Sequence, residues 1–498
     1  MLKVTPNKKE VSSIRTRESN LRSRVLGSTH KRIFKALLSC ALVAVASVLC
    51  IGSGARMAGA EESKENKVLM DTEVRALPGS LGTLPMFNSN SPEVVRTSGV
   101  LLSLLPKEGK RYPDAHLDYP LKGRFRIFTH HINNNPKHDR VLYLGLIAYN
   151  PEDNDATVRI LNAASYVSQP DAPFIKLPAI SNNNDGTVYA GPGDRITNDF
   201  LRGEHQTGWP SKITVPAKGY AVIYALPLQV RGIVPQSNGR STLLELTSSR
   251  KIYLAEVADF VKTENCRSVE PPSLERFVEI AETHTVSDER DKTPSVPGAK
   301  GPLVYGRVAG VQIGCKWTGT ATDGEKNITR LTIPEIGKSI AFPLCSLERG
   351  TFGTGQVQSA PLVARYADTA YAAHGNYAVE YRLQFPLYNS SKSKVKVSVS
   401  LDTPLKTENP KENLTYFEPP AKNTFFRGTV LAQYLSDKGE NAKDYIHLVQ
   451  TRGTKSRELF NIVIKPKGRR TIRISLFYPP DATPPQVLTF SSSSSSEP

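Results

Sequence analysis

The stretch LGLIAYNPEDNDATVRI at residues 144–160 recurs without gaps as LQFPLYNSSKSKVKVSV at residues 383–399. Both copies begin with leucine and contain a Tyr-Asn pair, at 149–150 and 388–389, and their later apolar residues match at alternate positions. Self-similarity of this kind indicates a repeated structural unit before any motif is considered. Each copy predicts a strand that ends at Tyr-Asn, a polar turn, and a second strand with one buried face.

A second matching pair lies downstream, ITVPAKGYAVI at 213–223 and IVIKPKGRRTI at 462–472. Both copies have Lys-Gly at the same place, where glycine suits a tight turn between two strands. Short alternating strands separated by turn residues are typical of immunoglobulin-like sandwiches. We therefore predict a mainly β chain with two immunoglobulin-like β-sandwich domains.

The composition, 39% apolar and 22% charged, is that of an ordinary globular protein. The middle of the chain contains one predicted helix at 274–283, which Ser273 can cap. We predict a signal peptide over 1–60, an extended arm over 61–122, a first sandwich over 123–262, a middle region over 263–375 with a linker at 285–302, a second sandwich over 376–480, and a disordered tail over 481–498.

The N-terminal segment predicts export. A basic leader precedes sixteen uncharged, mostly apolar residues at 36–51, and a small-residue cleavage site ends at Ala60. Sixteen helical residues are too short for a hydrocarbon core of about 30 Å. We expect the protein in the periplasm, on the outer cell surface or in the medium, with membrane contact only through the signal peptide before cleavage. Retention as an anchor and the choice between Sec and twin-arginine export stay open.

Three cysteines follow the predicted cleavage site, Cys266, Cys315 and Cys345. In an oxidising compartment, three thiols allow one disulfide and leave one thiol over. Cys315 and Cys345 both lie in strand-like segments. We predict that these two form the disulfide.

A metal site is a further hypothesis, based on a His-x-Asp pair, His116 and Asp118, with His130 downstream. Imidazole and carboxylate are common ligands of mononuclear metal sites. The alternative is that this Pro-flanked polar segment is simply solvated. We predict no cofactor.

The positive charge is concentrated in two places. The formal net charge is +17, and residues 1–60 hold 11 Lys/Arg against 2 acidic residues. Residues 376–480 hold 18 Lys/Arg against 9 Asp/Glu, so the second predicted sandwich carries the excess of the mature chain. We predict an anion-binding surface, with three lysines on the solvent side of one strand, formed by Lys392, Lys394, Lys396, Lys465, Lys467, Arg469, Arg470 and Arg473.

On an exported protein, a basic surface attracts anionic envelope polysaccharide or wall polymer, and we predict no nucleic-acid partner. The alternative is a solubilising surface that discourages pairing between sheet edges.

The segments EVRALPGSLGTLPMFNSNSPEVV (73–95), GRFRIFTHHI (123–132) and AHGNYAVEYRLQFPLYN (373–389) resemble a family of secreted cyanobacterial proteins of unknown function. The resemblance covers nearly all of the mature chain. It implies a photosynthetic bacterium and a cell-envelope or extracellular location, and it brings no catalytic residues.

The chain has neither a G-x-S-x-G nor an H-E-x-x-H motif. We predict a non-catalytic, exported cell-envelope protein that binds anionic surface polysaccharide through the C-terminal sandwich. A secreted polysaccharide-active hydrolase or lyase, with that sandwich as its binding module, is the alternative, because glycosidase carboxylate pairs leave no spacing signature in sequence. A third hypothesis is an assembly or chaperone-like role that uses exposed strand edges.

Overall fold

A computed structural model describes residues 66–135, 140–262, 270–324, 327–409 and 414–495. The predicted signal peptide over 1–60 and Cys266 lie outside these residues. The described chain is mainly β, with strands that form several sheets. Strands are numbered in chain order. None of the helices in these ranges has the length and apolar character needed to cross a membrane.

The largest sheet has eleven strands and forms most of the first half of the structure. Its strands are β3 (Pro85–Ser89), β4 (Gly99–Ser103), β5 (Leu121–Asn133), β6 (Arg140–Tyr149), β7 (Ala156–Val167), β9 (Lys212–Val215), β10 (Tyr220–Leu228), β11 (Asn238–Lys262), β12 (Ala309–Ile313), β16 (Ala360–Arg365) and β17 (Ala372–Ala373). Strand β11 connects two parts of this sheet, because residues 240–248 pair with β7 and residues 253–262 pair with β6. Buried side chains such as Phe125 and Leu144 form one core between them.

Two further sheets, of seven and five strands, share a second core. The seven strands are β8 (Ile180–Asn182), β13 (Lys316–Thr320), β14 (Leu331–Thr332), β18 (Glu380–Tyr388), β21 (Thr424–Leu435), β22 (Asn441–Thr451) and β24 (Arg469–Phe477). The five strands are β2 (Glu73–Val74), β15 (Ser339–Leu344), β19 (Val395–Asp402), β23 (Phe460–Ile464) and β25 (Gln486–Ser494). Val397 from one sheet and Ile474 from the other are both buried in this core. Strands β1 (Asn66–Met70) and β20 (Leu414–Glu418) form a separate pair.

The internal repeat of the sequence is confirmed as a repeat of strand pairing. Antiparallel β10 pairs with β6 in the first half, and antiparallel β24 pairs with β18 in the second. In the same way, β9 pairs with β7, and β23 pairs with β19. The matched segments therefore fold into matched strands.

Segments that the sequence set apart from the sandwiches contribute strands to the same sheets. The predicted arm supplies β3, which pairs with β5, and β2, which pairs with β15. The middle region supplies β13 and β15, which pair with β18 and β25. Within the predicted linker at 285–302, Val286 bridges to Val100 and Asp291 accepts a hydrogen bond from Ser91.

The prediction of a disordered tail over 481–498 is wrong for residues 486–494. These residues form β25, which pairs with β15 on one side and β19 on the other. Ser491 Oγ lies 2.7 Å from Ser339 Oγ across this pairing. A serine run can form a strand when its backbone pairs with neighbouring strands on both sides, so composition alone was misleading.

Two α-helices lie in the described residues, α1 (Pro192–Arg202) and α2 (Leu274–Thr283). The α2 prediction is confirmed, including the cap, since the Ser273 side chain accepts a hydrogen bond from the Arg276 backbone N–H. Helix α1, which ends at the left-handed Gly203, was not predicted. Helix α1 contacts the second half through Asp194, whose Oδ2 lies 2.7 Å from Nε2 of the buried His447.

Candidate functional site

Asn389, at the end of β18, connects two turns. We call the turns at 389–394 and 465–468 the Asn389 turn pair. The Asn389 Nδ2 donates to the carbonyl oxygens of Ser393 at 2.8 Å and Ile464 at 3.0 Å. Its Oδ1 accepts from the Ser391 N–H at 2.9 Å. Because this amide is fully buried and uses both its donors and its acceptor, it fixes the backbone of both turns.

The Asn389 turn pair and the first residue of β24 present a group of exposed cationic side chains. Residues 389–396 and 464–470 contain no Asp or Glu. Lys467 has a left-handed backbone, with φ of 55°, and its Nζ donates to the Ser390 carbonyl, which further links the two turns. We call the following five exposed residues the basic tip: Lys392, Lys394, Lys465, Lys467 and Arg469.

Three of the predicted basic residues lie apart from the basic tip. Lys396 lies on β19, with its Nζ 3.8 Å from Glu458. Arg470 donates to the Leu435 and Ser436 carbonyls. Arg473 donates to Gln384 at 3.1 Å. All three lie within strands, Lys396 on β19 and Arg470 and Arg473 beyond the first residue of β24.

The prediction that Lys392, Lys394 and Lys396 share one strand face is wrong, because β19 begins at Val395. The first two lysines therefore lie in the preceding turn. The outward faces of β19 and β24 are also opposite, because Val397 and Ile474 both point into the core between their sheets. Five of the eight predicted basic residues therefore form the basic tip. The other three, Lys396, Arg470 and Arg473, lie further along β19 and β24.

The first half of the chain contains a matching turn pair, at 150–155 and 216–219, which we call the Asn150 turn pair. The Asn150 side chain makes the corresponding contacts, but the exposed charges differ. Glu152, Asp153 and Asp155 occupy the positions of Ser391, Lys392 and Lys394. Lys218 Nζ lies 3.1 Å from Asp153, and Arg250 lies 2.9 Å from Glu152. The same backbone therefore presents acidic charge in one half and basic charge in the other.

The predicted metal ligands do not converge. His116 Nδ1 lies 2.7 Å from Ser103 Oγ, and His130 Nδ1 lies 2.8 Å from Ser241 Oγ. Burial lowers the pKa of His116 to about 4 and that of His130 to about 3. Asp118 lies near Tyr253, whose pKa is raised by burial and by that carboxylate. Across the ranges that the structure describes, no group of three or more His, Cys, Asp and Glu side chains is placed to hold a metal ion.

The predicted Cys315–Cys345 disulfide is wrong, since both thiols are free and fully buried. Cys315 packs in a cluster with Met86 and Phe128, whereas Cys345 packs in the core of the second half. Burial raises the pKa of Cys315 to about 12 and raises the pKa of Cys345 further. Both cysteines lie in strand-like sequence, but that pattern does not show whether two strands are neighbours. The two thiols lie in separate cores.

The structure also contains a groove that was not predicted from the sequence, with a volume of about 300 Å³. The Tyr434 ring stacks on Phe460, with centroids 4.4 Å apart and planes 7° apart. The Tyr434 hydroxyl donates to Asp444 Oδ2 at 2.9 Å. The groove lies between the seven-stranded and five-stranded sheets, and its lining residues are Ile180, Ser181, Asn182, Tyr434, Asp444, Ile446, Leu459 and Phe460.

A family model described as "Protein of unknown function (DUF3370)" matches residues 72–492. A comparison with curated proteins found none that is similar to this chain. Among solved structures, the PBSX exported protein XepA is 10% identical, with 75% of this chain and 84% of that chain covered and a TM-score of 0.13. Lac15 from a marine microbial metagenome is 11% identical, with 73% of this chain and 52% of that chain covered and a TM-score of 0.10.

Proposed function

We propose that this chain, which belongs to the family "Protein of unknown function (DUF3370)", is an exported, non-catalytic cell-envelope protein that binds anionic polysaccharide or wall polymer through the basic tip. One observation supports this proposal above the others. The two turn pairs share one backbone arrangement, yet the exposed positions are acidic around Asn150 and basic around Asn389. Because the same turn backbone forms with acidic or with basic residues, folding does not explain the lysines around Asn389. Attraction of an anionic ligand does explain them.

The electrostatics of the basic tip suit a polyanion. Five cationic side chains are exposed in the two connected turns and at the first residue of β24, and residues 389–394 and 465–469 contain no Asp or Glu. Lysine is a compact charge on a long, adaptable side chain, so it binds repeated anionic groups without demanding one geometry. Attraction of this kind acts through solvent and weakens as salt screens it.

The fixed turn backbone reduces the cost of binding. Asn389 fixes both turns through hydrogen bonds to their backbone, and Lys467 links them again at Ser390. Because the backbone is ordered before the ligand arrives, only the lysine side chains lose freedom on binding. A preorganised tip with adaptable charges fits a repeating polymer better than a small molecule of fixed shape.

We extend the proposed function to the location and the architecture of the chain. The basic leader, apolar run and small-residue site before residue 61 support export to the periplasm, the outer cell surface or the medium. We also propose that each half is an immunoglobulin-like sandwich, which is supported by the matched pairing of β6 with β10 and of β18 with β24.

The test is retention of the full chain on beads of alginate, a polymer of uronic acids, across a rising salt gradient. One variant replaces Lys392, Lys394 and Lys465 with Glu, and it is expected to elute at clearly lower salt than the unaltered chain. A matched control places the same charge change on exposed lysines elsewhere, Lys122, Lys176 and Lys300.

The control variant is expected to elute close to the unaltered chain. Equal loss of retention in both variants would show that retention depends on net charge and not on the basic tip. No retention of the unaltered chain at low salt would contradict the proposed function.

A further inference from the structure

We infer that the groove beside Tyr434 and Asp444 is a second binding site, which takes one uncharged pyranose ring. The inference rests on the proposed function in one respect, because the ring is taken to belong to the polymer whose anionic groups contact the basic tip. The volume of about 300 Å³ is at the small end of the range for ligand pockets. That size suits one sugar unit of a longer chain that continues into solvent.

The lining of the groove matches the two kinds of surface on a sugar ring. A pyranose has apolar C–H faces and a rim of hydroxyl groups, so its site needs flat apolar area together with hydrogen-bonding groups. The Tyr434 ring, which is held against the buried Phe460, provides the flat area beside Ile180. Asn182, on the edge strand β8, supplies a side-chain amide.

The carboxylate of Asp444 sets both orientation and charge preference. Its Oδ2 accepts the hydrogen bond from the Tyr434 hydroxyl, and no other partner of Asp444 is found in the described part of the chain, so Oδ1 can accept from a sugar hydroxyl. The neighbouring Lys443 lies over the Tyr445 ring on the opposite face of β22 and does not neutralise Asp444. A carboxylate in the groove disfavours uronate or sulfated sugars, so the ring bound there is uncharged.

The groove and the basic tip are connected by one strand. Phe460 lines the groove at the start of β23, and Lys465 directly follows the last residue of that strand. At about 3.3 Å per residue, the two positions are separated by about 16 Å. The Val463 N–H donates to Asp437 at 3.1 Å, so the turn between β21 and β22 is tied to the same strand. One extended polymer can therefore contact both sites at a fixed separation.

Saturation-transfer NMR on the full chain tests the groove with four probes, namely maltose, cellobiose, lactose and free glucuronate. Tyr434→Ala removes the flat surface, and Asp444→Asn keeps the shape but removes the charge. Tyr112→Ala is the matched control, because Tyr112 is an exposed tyrosine that does not line the groove. Thermal unfolding of each variant shows that the fold is retained.

We expect saturation transfer to at least one of the three disaccharides and none to glucuronate. Tyr434→Ala is expected to weaken the affinity by about tenfold, which corresponds to about one aromatic contact. Asp444→Asn is expected to admit glucuronate, while Tyr112→Ala leaves every signal unchanged. No transfer to any disaccharide, or equal transfer in the folded Tyr434→Ala variant, would overturn the inference.

The two proposals fail separately. The salt-dependent retention on alginate depends on the basic tip, so Tyr434→Ala is expected to leave that elution profile unchanged. Loss of the lysines in the basic tip is likewise expected to leave disaccharide binding unchanged. Retention without disaccharide binding would therefore contradict the groove alone, and disaccharide binding without retention would contradict the basic tip alone.

Discussion

Asn150 and Asn389 lie in different halves of the chain and make the same hydrogen bonds. Asn150 Nδ2 donates to the carbonyls of Asn154 at 2.9 Å and Val215 at 3.2 Å, and its backbone N–H donates to Gly219 at 3.0 Å. Asn389 makes each equivalent contact with the residues at the matching positions. The lysine before the glycine is left-handed in both copies, with φ of 54° at Lys218 and 55° at Lys467.

Both asparagines are expected to be important for stability. Replacing Asn150 or Asn389 with Ala leaves two or more carbonyl and N–H groups without partners, and each buried loss costs about 1 to 3 kcal/mol. We expect each variant to lower the free energy of unfolding by about 2 to 4 kcal/mol in urea titrations. Substitution of Ser390, which is exposed, with Ala is the control. A negligible effect of either asparagine substitution would show that the turns do not depend on the amide.

Arg126 connects the two halves through a buried ion-pair network. Its guanidinium donates to Glu245 at 2.8 Å, to Glu380 at 2.7 Å and to the Cys315 carbonyl at 3.0 Å. Arg126→Met leaves two buried carboxylates without this partner, and breaking one side of a buried pair costs about 3 to 5 kcal/mol. Urea unfolding is the measurement. Arg126→Lys is expected to recover only part of the loss, because one ammonium does not reproduce the guanidinium fork.

If Arg126→Met unfolds at the same urea concentration as the unaltered chain, the ion-pair network does not stabilise the contact between the two halves. Arg382→Met is a suitable comparison, because Arg382 also contacts Glu380 but its side chain is 59% exposed. That variant is expected to change the free energy of unfolding by less than about 1 kcal/mol.

His116 makes stability depend on pH in the acid range. Burial lowers its pKa in the folded protein to about 4, from 6.5 in the unfolded chain. The unfolded chain therefore binds a proton first as pH falls, so the contribution of His116 is complete above pH 6.5 and is lost as pH falls to about 4. The expected loss is about 3 kcal/mol. Buried His374, with a pKa lowered to about 4, acts in the same direction.

Thermal unfolding of His116→Asn between pH 7 and pH 4 checks this prediction. Asn can keep the hydrogen bond to Ser103 but does not titrate, so the variant is expected to lose less stability on acidification than the unaltered chain. Parallel pH profiles for the two proteins would contradict the assignment of this effect to His116.

The parts of the fold that the sequence predicted correctly are those with local signals. Alternating residues around both Tyr-Asn pairs predicted β6, β7, β18 and β19, and Ser273 marked the start of α2. Each of these signals lies within the element that it describes.

The missed features depend on distant partners. Helix α1 buries Asp194 and Asn198, which made its pattern look polar, and the partner of Asp194 is His447 far along the chain. Strand β25 is stabilised by β15 and β19, which its serine-rich composition does not reveal. The groove likewise brings β8 beside β22 through a pairing that no local pattern encodes.

The sequence predicted the positive charge of the basic tip but not the arrangement of its residues. The excess of lysine and arginine was countable, yet the alternation of Lys394 and Lys396 with valine suggested one strand face. The strand begins only at Val395, because Asn389 and its partners hold the preceding residues in a turn. Only the three-dimensional pairing of the two turns shows which lysines are neighbours.

The most direct test of the central claim gives the Asn389 turn pair the acidic residues of the Asn150 turn pair. Lys392→Asp with Lys394→Asp places at the basic tip the residues that occupy the matching positions, Asp153 and Asp155, around Asn150. The dissociation constant for soluble alginate is then measured for the full chain at several salt concentrations. We predict that the variant folds normally, binds alginate at least about tenfold more weakly at low salt, and shows a shallower dependence on salt. Equal affinity and equal salt dependence in the folded variant would contradict the claim that the basic tip binds the polymer.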